Sequence, residues 1–523
     1  MSTTSPLEDH LPRPNRLKRR TTWAALFLGV IGGALGVLVV LLLLDTTLSQ
    51  MTLEGIFTAI VERGLTSALG SLPEVLAAVL GLSLTVVAIV VQLASQRYSP
   101  KIVDLFMSDP VNIGVFSFMV VSCIYVAVLP TFAEASEVPR IAVGTGLVLA
   151  VVNFGLLLPY FAHVFAFLQP NNIITQIETD AQHALTLAVG RKGRRRANLR
   201  PDQENVVQSV ERIADNCVAA VGQHDRNLAL HSVRTLERLT RHAISIKETM
   251  PEGWNAIPPD FFFALSREFY DEIVSQRIWI EAKALMEFEH ILKRALGPMD
   301  ELVTQLASSS RSIGIAAAQA RDDEALNLVV RFFNTFMRHA LNAKNVRACY
   351  NLFYQYRLLG ESIMQSHPEV CERVVDHFVY YGRTANAMGL PFVTVTAAHD
   401  VRVLCELAFS SRHMDVAPLL RLFLTLDQRS EEKAQELALI GVRKAQSMLA
   451  GYLLAHNGQQ LAEQIREDMN GESLQRLVAI RDSILAVTDR KFWEVTDRGF
   501  NFDFVEPELR PYINRFFDPF FSE

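Results

Sequence analysis

The stretch Leu72–Leu93, LPEVLAAVLGLSLTVVAIVVQL, decides the fold. As a helix rising about 1.5 Å per residue it is long enough to cross a hydrocarbon core of roughly 30 Å. Backbone groups left unpaired in lipid are too costly for any spanning form but helix or closed barrel, and a run of this length selects helix. Within and just beyond it, Glu74, Ala78, Gly81, Thr85, Ala88, Gln92, Ser95 and Ser99 recur in alternating steps of four and three. Those steps place them on one helix face. The pattern predicts that this face meets protein or water, while Val75, Leu76, Leu80, Leu84, Val87 and Val91 meet lipid. Ala78, Gly81 and Ala88 suit close helix packing, whereas Thr85, Gln92, Ser95, Gln96 and Ser99 form a candidate pore or buried polar face toward the other end.

Three further apolar runs predict an all-α fold that opens with a four-helix transmembrane domain, residues 22–169, behind a basic tail of residues 1–21. Its spans lie at about 23–44, 72–96, 111–130 and 141–168. The first run is about twice the length of a signal-peptide core and no small-x-small cleavage site follows Leu44, so it is expected to be retained. It carries two interleaved GxxxG patterns, Gly29 with Gly33 and Gly32 with Gly36, which let another helix approach closely. Asn153 sits in the middle of the fourth run and His163 near its end; polar groups at such depth are expected to face the bundle interior or water. Arg16, Lys18, Arg19 and Arg20 precede the first span, Arg97 and Lys101 follow the second, and Arg191, Lys192, Arg194, Arg195 and Arg196 follow the fourth. The opposite loops offer only Arg63 and Arg140. This asymmetry predicts a multi-pass protein of a bacterial inner membrane with both termini in the cytoplasm.

The 523 residues carry a formal charge of -6, and the apolar ones concentrate in the first third. Beyond Gln169 the charge is mixed and the hydrophobic period is 3.6 residues, which predicts a large cytoplasmic all-helical domain over 170–490. Asp323–Leu341 shows it, with Leu326, Val329, Val330, Phe333, Met337 and Ala340 on one face. Further helices are predicted at Val346–Ile363, Val206–Val221, Asn227–Ile246, Phe263–Leu296, Ser430–Leu454 and Ser473–Val487. Pro251-Glu252-Gly253 through Pro258-Pro259 breaks any helix and is a candidate boundary between a membrane-proximal and a distal part. Phe392–Thr396 is the one strand candidate, although Pro391 would equally open a helix. With no residue-level period in view, an irregular bundle of helical hairpins is expected. Residues 491–523 form an aromatic C-terminal strap, expected to pack on its own domain because so large an exposed aromatic surface is a liability.

Five widely spaced cysteines without a CxxC predict reduced, structural thiols. Glu287 and His290 form one ExxH, but a carboxylate-bridged metal site needs a second and two more glutamates, so no metal is expected. His399-Asp400 has no nucleophile motif beside it and is read as a surface or capping pair. The sequence has no phosphate-binding glycine loop, dinucleotide fingerprint or HExxH, which predicts no enzyme activity and no cofactor. The basic cluster Arg191, Lys192, Arg194, Arg195 and Arg196 is a candidate contact for anionic lipid head groups. Nucleic-acid binding is not expected of an acidic chain without a recognition motif.

At the end of the second span, Ser99-Pro100 predicts a helix stop with Ser99 as the next N-cap, then a short interfacial helix over 100–108 that ends at Pro110. The run QLASQRYSPK, Gln92–Lys101, with Asp109, Gly114-Val115-Phe116, Tyr125 and the later Tyr160-Phe161-Ala162-His163, resembles a family of bacterial four-helix inner-membrane proteins known only as a domain of unknown function. Lys101 stands where that family's pattern has arginine, and a single Ser95 precedes Gln96. The resemblance covers about the first 175 residues and implies no activity. From the residues, the expected function is an oligomeric, channel-like path for an ion or small solute through the lipid bilayer, lined by the second span above a cytoplasmic helical vestibule. A membrane-anchored helical scaffold or sensor is the alternative.

Overall fold

Helical periodicity, local caps and short turns account for the regular structure in the computed structural model, which describes residues 65–97, 103, 106–107, 109–133, 140–167, 169–191, 198–262, 265–412, 414–427, 433–492 and 497–521. Among these residues there are eighteen α-helices and no strand. The first span with Gly29, Gly32, Gly33 and Gly36, the residues Ser99, Lys192, Arg194, Arg195 and Arg196, and the side chains of Ser95 and Gln96 lie outside the described part. Of the interfacial helix read at 100–108, Val103, Phe106 and Met107 are described and helical, with Phe106 buried. The chain divides into two compact units, Met1–Ile173 and Ile174–Glu523.

In the first unit α1 (Leu65–Arg97), α2 (Pro110–Ala133) and α3 (Arg140–Phe167) pack on one another. Three segments of them, Ser71–Leu93, Pro110–Val128 and Thr145–Phe167, are long and apolar enough to cross a membrane. Proline at the first position of α2 sacrifices no helical hydrogen bond, because that N–H has no partner inside a helix. The core of the unit joins Leu76 of α1, Val126 of α2 and Ala150 of α3.

In the second unit α4 (Pro170–Gly190) leads into hairpins of α5 (Arg200–Gly222) with α6 (Arg226–Ile246), α8 (Trp279–Ala295) with α9 (Asp300–Ala320), α10 (Asp323–Asn342) with α11 (Val346–Ile363) and α12 (Pro368–Ala387) with α13 (Pro391–Ser411). A short α7 (Arg267–Ser275) precedes α8. After α13 come α14 (Ala417–Leu424), α15 (Lys433–Ala455), α16 (Gln459–Met469), α17 (Leu474–Leu485) and α18 (Arg510–Phe521). Each of α6, α9, α11, α13 and α15 packs on the next to make one layer, and α5, α8, α10, α12 and α14 make the other. The expectation of an irregular bundle is corrected: the hairpins stack in register, each burying the open face of its neighbour. The register rests on turns more than on a repeated sequence. Asp225, Asp322 and Asn345 each accept a hydrogen bond from a backbone N–H three residues on. Each follows a residue with left-handed backbone, His224, Arg321 and Lys344, which closes the preceding helix before the cap opens the next.

Three other expectations change. Phe392–Thr396 is helical, with Pro391 at the first turn of α13. The helix read over Phe263–Leu296 breaks at Arg277, whose φ of 59° is left-handed, and Ile278 then donates back to the carbonyl of Ile273. The proline-rich segment separates no subdomains. Trp254 is buried against Trp279 of α8, ring centroids 5.5 Å apart, and its carbonyl accepts from Gln203 of α5.

The C-terminal segment packs on its own unit. Ile513, Phe516 and Phe517 are fully buried, and α18 lies against α15 where Gly451 leaves room for Ile513. A Cβ at Gly451 would collide with the Ile513 side chain, so Gly451→Val is expected to cost about 1–3 kcal/mol. Hydrogen exchange should then show Arg510–Phe521 losing protection ahead of the stacked hairpins; uniform protection would contradict this packing. Cys217, Cys349, Cys371 and Cys405 are free and buried, and burial pushes the Cys349 thiol up to about 12.

Candidate functional site

Within the first unit, α1 meets its neighbours through Leu76, Ser83, Val87 and Val91, all buried. These residues lie on one face, and the Ser83 hydroxyl donates to the Val79 carbonyl at 2.7 Å, so its burial leaves no donor unpaired. Leu76, Val87 and Val91, expected to meet lipid, instead form the packing seam. The small-residue stripe lies on the opposite face: Glu74, Ala78, Gly81, Thr85, Ala88 and Gln92 are all exposed among the described residues. A close fit needs a small residue on only one side of a seam, and Ala150 of α3 supplies it in the cluster around Leu76. A Cβ added at Gly81 would meet nothing within 4 Å, and the Thr85 hydroxyl is satisfied by the Gly81 carbonyl at 2.8 Å.

A second polar group lies between α2 and α3. Asp109, just before Pro110, approaches His163 near the end of α3, with Oδ2 and Nε2 2.7 Å apart and both side chains largely buried. Asn112 is buried and donates to the Phe106 carbonyl at 2.9 Å, while its Oδ1 has no partner among the described residues. Tyr160 and Asn153 are buried on α3, and the Tyr160 hydroxyl and Asn153 Nδ2 also have no partner among the described residues. Phe116 packs edge-on against Tyr160 and Phe106 against Phe167, which walls this group with rings. Orphan polar atoms in an apolar bundle are costly, and such groups call for water or another polar partner. Sequence reasoning singled out Asn153 and His163 but missed the pairing of His163 with Asp109, passed over Asn112, and named Tyr160 only as part of a motif. The available signal was an acidic residue at the head of one span and a histidine at the foot of the next.

In the second unit, His399 and Asp400 form neither a surface pair nor a cap. Both are buried, and as neighbours on α13 they face different partners. Asp400 accepts two hydrogen bonds from Arg498, at 2.6 and 3.0 Å, and its Oδ1 lies 3.0 Å from Arg357 Nε. Arg498 also donates to the Tyr350 carbonyl at 2.7 Å and lies over the Tyr350 ring. The His399 ring stacks on Phe502 with centroids 4.1 Å apart. Its Nδ1 lies 3.2 Å from Arg402 Nη2. Burial and the neighbouring guanidinium groups hold it well below the usual histidine range, so it is neutral. Glu287 pairs with Lys283 at 3.3 Å, Lys283 also reaches Glu211 at 2.7 Å, and His290 is exposed. Arg191 pairs with Asp202 and donates to the Asn198 carbonyl at 2.8 Å.

Residues 19–242 match the model of a family described as Predicted membrane protein (DUF2254). The three apolar helices fall inside that match, which together with their length and hydropathy supports a membrane protein, and an all-helical unit follows these candidate spans. No curated protein matches the chain. A solved structure described as a "Circular tandem repeat protein with novel repeat topology and enhanced subunit contact surfaces" is similar at 16% identity, over 88% of this chain and 96% of that one, with a TM-score of 0.33.

Proposed function

We propose that the protein assembles as a homo-oligomer in a bacterial inner membrane, both termini in the cytoplasm, and that α1 lines a shared path for an ion or small solute. The observation that carries this reading is the face of α1 left exposed among the described residues, with Glu74 at one end and Thr85 and Gln92 farther along. A charged or amide side chain facing lipid is costly, on the order of 2.5–3.5 kcal/mol for a charge at mid-span, so this face calls for water or a second copy. Ala78, Gly81 and Ala88 would let helices from several copies approach, and Gln92 would wet the narrowed path. The helical unit then forms the cytoplasmic vestibule.

The test is ion flux into liposomes holding the purified, oriented oligomer. Flux is expected from the unmodified protein and a several-fold loss from Gln92→Leu. An intact oligomer that passes nothing, or a strict monomer in detergent, ends the proposal. So does crosslinking within one chain between Gly33→Cys and Gly81→Cys, which would mean that the first span covers this face. The second reading, a membrane-anchored scaffold or sensor without permeation, draws support from the stacked hairpins. Such stacks offer long surfaces suited to binding.

A further inference from the structure

In the second unit a cleft of about 380 Å³ lies between α11, α13, α15 and the C-terminal segment. Its volume is in the range that holds a small organic molecule. Three arginines stand in its wall, Arg357, Arg402 and Arg490, and two glutamates, Glu406 and Glu506. The glutamates are occupied: Arg402 pairs with Glu406 at 3.1 Å and Arg490 with Glu506 at 3.7 Å. Tyr452 and Phe500 add ring surface to the same wall.

The wall holds buried donors that nothing in the described chain accepts. His399, 4% exposed, is one lining residue, and its Nε2 has no hydrogen-bond partner. Because an arginine N–H faces Nδ1, Nδ1 is the acceptor and Nε2 carries the proton. Arg402 Nε is a second buried N–H without an acceptor. Unmet buried donors cost about 1–3 kcal/mol each, so a cleft lined by the two residues that carry them favours a guest that brings acceptors.

We propose that this cleft binds a small organic anion, a flat ring bearing a carboxylate or phosphate, with the anionic oxygens received by His399 and Arg402 and the ring laid against Tyr452 and Phe500. Arginine suits such oxygens because its N–H groups are planar and permanently charged. The site stands apart from permeation and serves a conducting or a non-conducting protein equally.

The test uses the full chain in detergent, with adenosine monophosphate, benzoate and inorganic phosphate as separate probes in calorimetric titration and thermal unfolding. Adenosine monophosphate or benzoate is expected to bind and to raise the unfolding temperature, and whichever responds separates a phosphate from a carboxylate ligand. His399→Phe keeps the stack on Phe502 and removes the donor, and it should weaken binding at least tenfold. Should that variant fail to fold, Arg402→Gln is expected to show the same loss. Binding by neither probe, equal binding by the folded variant, or equal binding by inorganic phosphate alone overturns the proposal.

Discussion

Asp400→Ala is expected to destabilise the helical unit by about 3–5 kcal/mol, the usual cost of removing one partner from a buried charge pair. Asp400 and Arg498 are both fully buried, and Arg357 is nearly so. Without the carboxylate two guanidinium groups would remain in the interior, with Glu361 still paired to Arg357. Neither arginine can shed its proton, so the cost falls on folding. For a unit of this size the loss corresponds to a fall of about 4–7 °C in unfolding temperature by circular dichroism. The paired replacement Asp400→Leu with Arg498→Met should recover most of it, since the fully buried pair becomes apolar and Arg357 keeps Glu361 as its partner. A single variant that melts within about a degree of the parent would show that the cluster contributes little. Arg498 belongs to the C-terminal segment and Asp400 to α13, so the same variant should also loosen the segment where it crosses α11 and α13.

Trp279→Ala should cost a similar amount, about 3–5 kcal/mol, through the cavity left by the largest fully buried side chain. Trp279 opens α8 and holds Trp254 beneath it. The expected signature is local as well as global: chymotrypsin should cut at Phe261 or Phe262 well before the stacked helices open. Resistance equal to that of the parent would mean that the proline-rich segment is held by contacts other than the tryptophan pair, such as the hydrogen bond from Gln203.

These two residues illustrate what was legible. Trp279 sits in a region whose helical period is plain, but its partner lies inside a proline-rich segment that reads as a boundary. Local breakers announce that a helix ends and say nothing about what the chain then packs on. The helix Val346–Ile363 was readable to the residue because Asn345 caps it and its apolar spacing is regular. Asp323–Leu341 was readable for the same reasons, with Asp322 as the cap. Phe392–Thr396 was ambiguous because β-branched residues suit a strand and a preceding proline suits a helix start. The long-range contact of α13 with α15, eased at Gly441 against Val395, settled it. His399 and Asp400 were misread as surface residues because two polar neighbours interrupt an apolar face. Their partners lie about a hundred residues away in the C-terminal segment, beyond any local pattern.

What the sequence alone determines here is the kind of structure: apolar runs of spanning length, an all-helical remainder, and which residues share a face of each helix. Those properties follow from hydrophobicity and the 3.6-residue period, which act over a few turns. Only the tertiary structure decides which face of α1 is buried, that Asp109 meets His163, and that Arg498 reaches Asp400. Periodicity groups Thr85 with Gln92 and Leu76 with Val87, but it assigns neither group to the inside. That assignment depends on the shape of the neighbours, Ala150 opposite Leu76 among them, and complementary shape is a property of pairs of segments that no single segment carries.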